Sequence, residues 1–503
     1  MSTNTGVRSP QTSALAGSAI PDTRNQPEHG RLYPGAPENC LDDVDSDCDG
    51  LTCPAREERQ LENLADGADS GTVWLTPGIA DFDGDGTDEL VLSTPSPAEL
   101  WDTVYRFDLP LPQGTLDLDL DATGRLAGGT SGAWVHSIGD IDGDGDPDLA
   151  VSTKLAPGEV ALVDSIRSSG DFASIDDRIM VGTARATGEA LSTFHSAFPF
   201  GQAVGVGDQN NDGKDDFLLS APNADGSGEL RGEVYLVTAS VQGTQRIRDL
   251  TGTTFTGEHD EAYLGTSLGR AGDLDGDGLS ELIIDENGWS SITDGAQTGR
   301  YQGRVVVFDG GSRGSTVSTD ARATVQGAAT NARARHGTTV GDIDGDGHDD
   351  LALQLFTAFG QALFYLGPVE GDLGSEHADH KLIGEAGDRQ TAGFGQTITG
   401  LGDLDRDGFD DVLISAPTED ALDGTIMVGA QYLYYGPLTG VLAPEHAARR
   451  WEASRPRGGP AQSILADLDG DEALDLLVSG EAVVRSDQPS PAELLVDWSA
   501  LSR

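Results

Sequence analysis

Short apolar runs recur along this chain, and each one follows a polar stretch that is rich in Asp and Gly. Phe217-Leu218-Leu219 and Val412-Leu413-Ile414 are two of seven such runs in the 503 residues. Three consecutive apolar residues without alternation suit a strand whose two faces are both buried. Because the copies return with a period of about 60 to 70 residues, the pattern indicates a repeat architecture rather than a series of unrelated domains.

Each repeat contains further runs that are typical of strands. In the third repeat, residues 200–207 lead into the polar stretch, residues 216–222 follow it, and residues 232–237 are rich in β-branched and aromatic side chains. Residues 246–252 close the unit, so we expect four strands, with the polar stretch between the first and the second. Radial closure protects the edges of such sheets. The sequence therefore predicts an all-β fold, a seven-bladed β-propeller of four-stranded antiparallel blades over residues 71–503.

The polar stretch carries carboxylates at fixed positions. Its clearest copy spans residues 342–350 and reads DIDGDGHDD; we number the positions of this Asp loop from 1 to 9. Carboxylates at positions 1, 3, 5 and 9 can point at one centre, and Gly at position 6 permits the turn that closes the loop. Several hard oxygens without His or Cys indicate Ca²⁺. Position 7 is expected to add a backbone carbonyl, so that its side chain is free to vary.

Seven copies, loop 1 to loop 7, predict up to seven Ca²⁺ sites. The expected ligands at position 1 are Asp81, Asp140, Asp208, Asp273, Asp342, Asp403 and Asp467. Those at position 3 are Asp83, Asp142, Asn210, Asp275, Asp344, Asp405 and Asp469. Those at position 5 are Asp85, Asp144, Asp212, Asp277, Asp346, Asp407 and Asp471. The carbonyls at position 7 belong to Thr87, Asp146, Lys214, Leu279, His348, Phe409 and Ala473. Those at position 9 are Glu89, Asp148, Asp216, Glu281, Asp350, Asp411 and Asp475. Loop 7 has Glu472 where the other loops have Gly at position 6, so we expect weaker binding there.

An EF-hand is the main alternative for a loop that begins in this way. It requires a bidentate Glu at position 12. Position 12 is apolar in every copy: Leu92, Val151, Leu219, Ile284, Leu353, Ile414 and Val478. EF-hands and the similar helical dockerin loops are therefore excluded, and we expect each Asp loop to lead into a buried strand.

Composition narrows the possible functions. The formal net charge is -54 at pH 7, which makes nucleic acid an unfavourable partner. Part of this charge lies in the Asp loops, where bound Ca²⁺ would neutralise it, and a generic acidic surface is the alternative reading of the rest. No stretch offers the roughly 18 apolar residues of a membrane span.

The first 70 residues differ from the repeats. Residues 1–36 lack periodicity and are expected to form a disordered leader, without the apolar core of a signal peptide. Residues 37–70 hold all three cysteines and a charged linker. The segment 38–50 resembles a short Cys-Asp metal-binding motif of secreted bacterial surface proteins. That resemblance implies one more metal in the Cys40–Cys48 segment, and its candidate ligands are Asp43, Asp45, Asp47 and Asp49. An acidic linker closed by a Cys40–Cys48 disulfide is the equal alternative.

Two short motifs carry a resemblance to a known family. Phe200-Gly201 and Phe394-Gly395 precede Asp loops, and Ser-Ala-Pro follows the apolar runs at residues 220–222 and 415–417. These units resemble FG-GAP repeats, as in the integrin α-subunit head and many bacterial secreted proteins. In the fifth unit, His336-Gly337 stands where FG is expected. The resemblance implies a secreted or cell-surface propeller, bacterial or extracellular, that uses structural Ca²⁺ and acts as a non-enzymatic adhesion or interaction platform.

A carbohydrate-active propeller, either a polysaccharide lyase or a lectin, is the alternative function. His136, His195 and His336 lie shortly before Asp loops, and a His beside Ca²⁺ could act as a general base. Strand or loop positions at blade edges are the simpler explanation for all three. A basic and aromatic pocket at the propeller mouth would favour the carbohydrate hypothesis. In either case we expect a protein or glycan ligand on one propeller face, no transmembrane segment and a monomeric chain.

Overall fold

The computed structural model describes part of the chain, and everything below concerns that part. The described residues are 57–62, 74–82, 85–94, 103–111, 116–117, 121–127, 134–143, 145–152, 159–163, 170–171, 179–181, 202–224, 229–238, 245–246, 252–269, 272–293, 296–297, 299, 301–357, 359–384, 393–419, 429–452, 460–466, 468, 475–480 and 494–498. The leader and the three cysteines lie outside these ranges, so the predictions for residues 1–36 and for the Cys40–Cys48 segment stay predictions.

Almost all regular structure in these ranges is β-strand. In the first half of the chain the strands are β1 (Glu57–Glu62), β2 (Trp74–Ala80), β3 (Glu89–Thr94), β4 (Thr103–Asp108), β5 (Leu116–Asp117), β6 (Gly124–Ala127), β7 (Trp134–Gly139), β8 (Asp148–Ser152), β9 (Glu159–Val163), β10 (Gly170–Asp171), β11 (Ile179–Val181), β12 (Ala203–Gly207), β13 (Asp216–Ala221), β14 (Glu233–Val237), β15 (Gln245–Arg246) and β16 (Gly252–Thr256). In the second half they are β17 (Leu264–Leu268), β18 (Leu282–Glu286), β19 (Ile292–Thr293), β20 (Ala296–Gln297), β21 (Arg304–Phe308), β22 (Ser315–Val317), β23 (Ala323–Gln326), β24 (Ala334–Thr339), β25 (Leu351–Leu355), β26 (Gln361–Tyr365), β27 (Gly371–Gly374), β28 (His380–Ile383), β29 (Ile398–Gly402), β30 (Asp411–Ala416), β31 (Ala430–Tyr434), β32 (Val441–Leu442), β33 (Arg449–Glu452), β34 (Pro460–Ala466), β35 (Asp475–Gly480) and β36 (Leu494–Trp498). Three 3₁₀ turns are Ser318–Asp320, Ser375–His377 and Pro444–His446.

Apart from the β19–β20 hairpin, the strands assemble into seven sheets that share one plan. Their orders are β2-β3-β4-β6-β10, β7-β8-β9-β11-β15, β12-β13-β14-β16-β22, β17-β18-β21-β23-β27, β24-β25-β26-β28-β32, β29-β30-β31-β33 and β34-β35-β36-β1-β5. In each sheet an Asp loop joins the first strand to the second. The loops therefore lie at corresponding ends of all the described sheets.

Neighbouring sheets touch through their first two strands. Strand β2 contacts β7, β7 contacts β12, β13 contacts β17, β17 contacts β24 and β24 contacts β29. Strand β30 contacts β34, and β34 contacts β2. The contacts thus return to the sheet where they started, and the fold is an all-β propeller.

The prediction of four strands in each blade is wrong for six of the sheets. A fifth, short strand pairs with the fourth in parallel, as β22 pairs with β16 and β27 pairs with β23. This strand comes from the following repeat. The sequence pattern did not reveal it because runs of two to four residues are too short for a periodic signal.

The last sheet is completed by a strand from before the first repeat. Strand β1 pairs with β36 in an antiparallel register from Glu57–Trp498 to Leu61–Leu494. The sequence had assigned this part of the chain to a linker. Pairing the two ends of the described chain removes an exposed edge that the last sheet would otherwise present.

The core lies between the sheets and is built mainly from their second and third strands, with contributions from the first and fourth. Leu282, Ile283 and Ile284 of β18 are 0% exposed, as the apolar runs predicted. Leu264 and Phe308 from one sheet join Leu218 and Phe255 from the sheet before in a single buried cluster. In each repeat the second strand directly follows the Asp loop. Burial of the apolar run in this strand therefore anchors the loop.

The FG position of the fifth repeat is not where the sequence suggested. Phe394, in the FG motif of the sixth repeat, is fully buried and forms a bridge with Gly360. An added Cβ at Gly360 would lie 2.3 Å from the carbonyl oxygen of Phe394, so only glycine permits this approach. Ala334 makes the corresponding contact with Gly303. The assignment of FG to His336-Gly337 is therefore wrong, because a register shift inside β24 moves the equivalent position to Ala334.

Candidate metal centres

Loop 5 shows how the sequence folds into a ring around one point. The N–H of Gly347 donates to Asp342 Oδ2 at 2.8 Å, and the N–H of Asp346 donates to Asp342 Oδ1 at 3.0 Å. The N–H of Ile343 donates to Asp350 Oδ2 at 2.8 Å. Position 1 therefore organises the turn and position 9 pins its start. Gly347 at position 6 has φ +93°, a conformation that favours glycine.

The same hydrogen bonds recur in the other described loops. The N–H of position 6 donates to the position 1 carboxylate in loops 1, 2, 3, 4 and 6 at 2.8 to 2.9 Å. The N–H of position 2 donates to the position 9 carboxylate at 2.6 to 2.9 Å. These hydrogen bonds explain why position 1 is Asp and why position 9 is an acidic residue in these loops.

Carboxylates come together in five of the loops. In each set the ligand atoms lie within 4.8 Å of one another. The sets are Asp81, Asp85 and Glu89; Asp140, Asp142 and Asp148; Asp273, Asp275 and Glu281; Asp342, Asp344 and Asp350; and Asp403, Asp405 and Asp407. Hard carboxylate oxygens at this separation fit a cation such as Ca²⁺, because without one their charges repel.

The remaining predicted ligands are not brought together, or lie outside the description. In loop 3, Asp208, Asp212 and Asp216 do not form such a set, and Asn210 Nδ2 donates to the Thr238 carbonyl at 3.1 Å. The structure does not describe Asp83, Asp144, Asp467, Asp469, Asp471 and Ala473. Asp475 begins β35, and its side chain is likewise outside the description.

The position 9 carboxylates are buried. Asp350, Asp411 and Glu281 are 0% exposed. Burial, together with a smaller effect of nearby loop carboxylates, raises the pKa of Asp350 and of Glu281 to about 7 and that of Asp411 to about 8, although backbone hydrogen bonds act in the opposite direction. Burial likewise raises the pKa of Asp216 to about 6. A cation at the centre of the loop would favour the ionised form instead.

Position 7 is more restricted than the sequence suggested, because its side chain covers the preceding loop. Lys214 Nζ donates to the Asp142 carbonyl in loop 2. The imidazole of His348 lies against Gly276 in loop 4, where an added Cβ would be 2.9 Å from its Cε1. Phe409 covers Gly345 in loop 5 in the same way. The scatter of residue types at this position hid a contact that Lys, His and Phe side chains all make.

Position 8, which the sequence analysis did not single out, links neighbouring loops. The N–H of Asp342 donates to Asp410 Oδ2 at 3.0 Å, and the N–H of Asp410 donates to the Asp342 carbonyl at 2.9 Å. Asp215 and Asp349 make the same pair of bonds with Asp140 and Asp273. The recurrence of Asp at position 8 in loops 1, 3, 5 and 6 was the available signal.

One arginine reaches a carboxylate of loop 4. Arg322 Nη1 forms an ion pair with Asp275 Oδ2 and lies 3.1 Å from Asp309 Oδ1. Its Nη2 lies 3.0 Å from Glu370 Oε1, and its Nε donates to the Val369 carbonyl at 3.2 Å. Burial lowers the pKa of Arg322, but the bonds to Asp309 and the charge of Asp275 outweigh it and raise the pKa overall. A fixed positive charge thus stands beside one candidate metal centre.

The two described histidines of the enzymatic alternative are poorly placed for proton transfer. Burial lowers the pKa of His136 to about 4 and that of His336 to about 3. Both rings are therefore neutral at physiological pH, and both residues are half-buried. His195 lies outside the described residues.

Comparison with known proteins identifies the repeats. Residues 200–237 and 394–434 match the FG-GAP repeat family. Integrin alpha-4 of Xenopus laevis is 28% identical over 289 residues, which cover 55% of this chain and 25% of that protein. Phosphatidylinositol-glycan-specific phospholipase D of Rattus norvegicus is 26% identical over 394 residues, which cover 71% of this chain and 45% of that protein. The chain thus spans less than half the length of these curated relatives.

A solved structure is also similar in outline. The crystal structure of BBS1N in complex with ARL6DN superposes with a TM-score of 0.43 and 9% sequence identity, covering 86% of this chain and 94% of that chain. A TM-score below 0.5 supports no conclusion.

The matched repeats and the arrangement of sheets define the class of protein. The chain carries FG-GAP repeats within an all-β propeller, as the FG and Ser-Ala-Pro motifs suggested. The comparisons give no support to the Cys-Asp resemblance of residues 38–50. In the described part of the chain, no helix has both the length and the apolar character that crossing a bilayer requires.

Proposed function

We propose that this protein is a secreted or cell-surface propeller that Ca²⁺ stabilises and that serves as a non-enzymatic adhesion or interaction platform. Residues 71–503 form the propeller together with strand β1 (Glu57–Glu62), which completes the last sheet. Its seven sheets are seven blades, and residues 1–36 precede it as a leader, followed by the Cys/Asp segment. The ligands of up to seven Ca²⁺ ions are positions 1, 3, 5, 7 and 9 of each Asp loop.

One observation carries this proposal: in five Asp loops three acidic side chains converge, and position 1 belongs to every set. A single acidic cluster is common on protein surfaces, but clusters in the same loop of five repeats indicate one chemistry used five times. The oxygen-only donors and the expected carbonyl at position 7 suit Ca²⁺ better than a softer metal. Ion binding would offset the repulsion that each loop contributes to folding.

The interaction role draws on the integrin alpha similarity. Those relatives share FG-GAP repeats with this chain, and their sequences align over about half of it. A propeller offers two broad faces, and the Asp loops stiffen one of them. A protein or glycan ligand would then bind a monomeric propeller on a face held rigid by Ca²⁺.

The experiment is a count of bound ions. Equilibrium dialysis of the full chain with Ca²⁺ should show saturable binding of several ions, with Mg²⁺ competing weakly because it demands tighter octahedral geometry. The pair Asp344→Ala and Asp346→Ala should remove one ion. The matched control is Glu376→Ala with Glu445→Ala, two exposed acids in the 3₁₀ turns, which should leave the count unchanged. No saturable binding, or equal loss in both variants, would refute calcium loops.

An enzymatic role is the second candidate, because one relative is named a phosphatidylinositol-glycan-specific phospholipase D. Assays of phosphodiester cleavage on a glycosylated phosphatidylinositol test it directly. We expect no turnover, since the two described histidines near the loops are half-buried and neutral. Turnover that requires Ca²⁺ and is abolished by EDTA would favour an enzymatic function over the interaction platform.

A further inference from the structure

The end of the sheets opposite the Asp loops carries a surface that the calcium hypothesis does not explain. Arg333 immediately precedes the innermost strand β24, and Arg335 lies within it. Phe356 follows the paired strand β25, and Tyr301 lies at the neighbouring sheet. We call these four residues the arginine–aromatic surface.

Both guanidinium groups stack on the same ring. The Cζ atom of Arg335 is 4.9 Å from the centroid of Phe356, and that of Arg333 is 5.9 Å from it. Arg333 is also 5.9 Å from the ring of Tyr301, which is 39% exposed. Arg335 Nε donates to Gln354 Oε1 at 2.9 Å. Stacking on the rings therefore holds two positive groups side by side.

These arginines lack the acidic partners that others in the described residues have. Arg304 pairs with Glu286 and Glu258, and Arg231 pairs with Asp260. Within the described ranges, neither Arg333 nor Arg335 forms an ion pair with a carboxylate, although the sequence has 85 acidic residues against 31 basic ones.

The acidic group that acts electrostatically on Arg335 already accepts hydrogen bonds from the backbone. Asp285 accepts the N–H groups of His336 and Gly337 through its two carboxylate oxygens. It attracts Arg335 electrostatically but forms no hydrogen bond with it. The two guanidinium groups therefore keep donors for a negatively charged group that is not part of the described chain.

The preceding sheet shows that side chains, not backbone geometry, distinguish this surface. The N–H of Tyr263 donates to the carbonyl of Leu230, just as the N–H of Arg333 donates to the carbonyl of Tyr301. Leu230 is therefore the equivalent of Tyr301, and Tyr263 is the equivalent of Arg333. All four have φ between +47° and +54°. Positive φ is thus a property of the repeat. Leu230 is 8% exposed where Tyr301 is 39% exposed, so the tyrosine ring projects from a position that is otherwise buried.

We propose that the arginine–aromatic surface binds a glycan that carries an isolated carboxylate sugar. The guanidinium fork matches a carboxylate in a bidentate manner, and the exposed Tyr301 ring offers an apolar face with a polar tip beside it. The net charge of -54 opposes a densely charged polymer, so one acid among neutral sugars fits best. This inference rests on the proposed function, since it names the ligand of the interaction platform.

A glycan fits better than an acidic peptide. An extended peptide gains affinity by pairing its main chain with free backbone groups. Here the N–H groups of Arg333 and Ala334 already donate to the carbonyls of Tyr301 and Gln302. The surface therefore offers a ligand aromatic rings and guanidinium groups rather than free backbone groups for strand pairing.

The test uses the full chain saturated with Ca²⁺ and three probes of equal size. They are a xylo-oligosaccharide bearing one glucuronic acid, the same oligosaccharide without it, and a Gly/Ser peptide bearing one Glu. Calorimetric titration should show binding of the acidic sugar above that of both others. The pair Arg333→Gln and Arg335→Gln should weaken it by about tenfold or more. Arg313→Gln is the matched control, because Arg313 is exposed at the Asp-loop end of its sheet, and it should bind like the wild type.

A second variant keeps the inference falsifiable if the double variant unfolds. Tyr301→Leu installs the residue of the preceding sheet and should weaken acidic-sugar binding without lowering the melting temperature. Equal binding of acidic and neutral sugars, unchanged binding by a folded variant, a preference for the peptide, or no binding at all would each overturn the inference. The failure of the proposed function looks different, since it shows as a Ca²⁺ count of zero on the same protein.

Discussion

Loop 4 and loop 5 are neighbours with nearly the same sequence, yet their surroundings differ. Each brings acids from positions 1, 3 and 9 together. In loop 4 the position 3 acid, Asp275, also pairs with Arg322. In loop 5 the position 3 acid is Asp344, and the group that lowers its pKa electrostatically is His380, whose own pKa burial lowers. Loop 4 is thus partly neutralised by the protein itself, whereas loop 5 has no such arginine among the described residues.

The difference comes from the fourth strand of each sheet rather than from the loops. Arg322 lies directly before β23, opposite the end of β21. In the next sheet the same place belongs to Asp379, whose Oδ2 accepts the N–H of Leu366 at 3.1 Å. Gly252 and Ala448 occupy it in two other sheets. The charge of loop 4 therefore depends on a residue 47 positions after Asp275, directly before the fourth strand of the same sheet.

The largest expected effect is the removal of all cations. At about 2 mM Ca²⁺, an extracellular-type site with a dissociation constant near 0.1 mM stabilises the fold by about 1.8 kcal/mol. Several sites add up, so EDTA should lower the melting temperature by many degrees, and Mg²⁺ should restore it poorly. An unchanged melting temperature at moderate ionic strength would remove the basis for comparing the loops.

The pH dependence of the metal-free protein comes next and tests what the two loops share. Burial raises the pKa of Glu281 and of Asp350 to about 7 in the folded state. The folded state then binds more protons than the unfolded state above pH 4, so stability falls as the pH rises towards 8. Melting in EDTA should therefore decrease over this window, and added Ca²⁺ should reverse the trend. A metal-free melting temperature that rises with pH would contradict the buried carboxylates.

Paired variants should then separate the loops. In EDTA, Asp344→Ala with Asp346→Ala should leave stability unchanged or raise it, because like charges are removed from loop 5. The counterpart Asp275→Ala with Asp277→Ala should lower it, because Arg322 loses a partner. With Ca²⁺, both should lose roughly one site's contribution, about 1.8 kcal/mol. Denaturant unfolding with and without Ca²⁺ measures these changes in the free energy of unfolding. Equal changes for the two variants in EDTA would contradict the proposed difference between loop 4 and loop 5.

A smaller effect is expected when the arginine alone is changed. Arg322→Gln should reduce metal-free stability and strengthen Ca²⁺ binding at loop 4, because the ion no longer competes with a guanidinium group for Asp275. Calorimetric titration should resolve a tightened site in this variant, and Arg313→Gln again serves as the charge-matched control. If titrations of both variants match the wild type, Arg322 does not regulate the loop.

The smallest effect concerns the link between loops. Asp410→Ala removes the side-chain acceptor for the N–H of Asp342 while it keeps the backbone bond between the two residues. A lost hydrogen bond of this kind costs about 1 kcal/mol. The loss should weaken Ca²⁺ binding at loop 5 as well, since Asp342 organises that loop. Asp372→Ala, whose partner Thr324 lies in strand β23 and not in an Asp loop, is the control, and equal losses in both would indicate a general effect of charge.

Much of the fold could be read from local pattern. Apolar runs such as Leu351 to Leu353 are buried as predicted, and the loop before them turns at Gly347 as the spacing required. These features depend on contacts within about ten residues, where side-chain period and glycine placement act directly. The sequence by itself therefore determined the repeats, their strands, the Asp loops and the set of candidate ligands.

Tertiary structure decided which distant residues meet. The fifth parallel strands, the pairing of β1 with β36, and the reach of Arg322 to Asp275 all join parts of the chain that lie far apart in sequence. The same holds for His348 over loop 4 and for the two arginines that share Phe356. Such contacts depend on the register of paired strands, and a shift of one residue reverses the face of every side chain. Periodicity reports that strands exist, but it carries no information on register, and so only the folded sheets could bring these residues together.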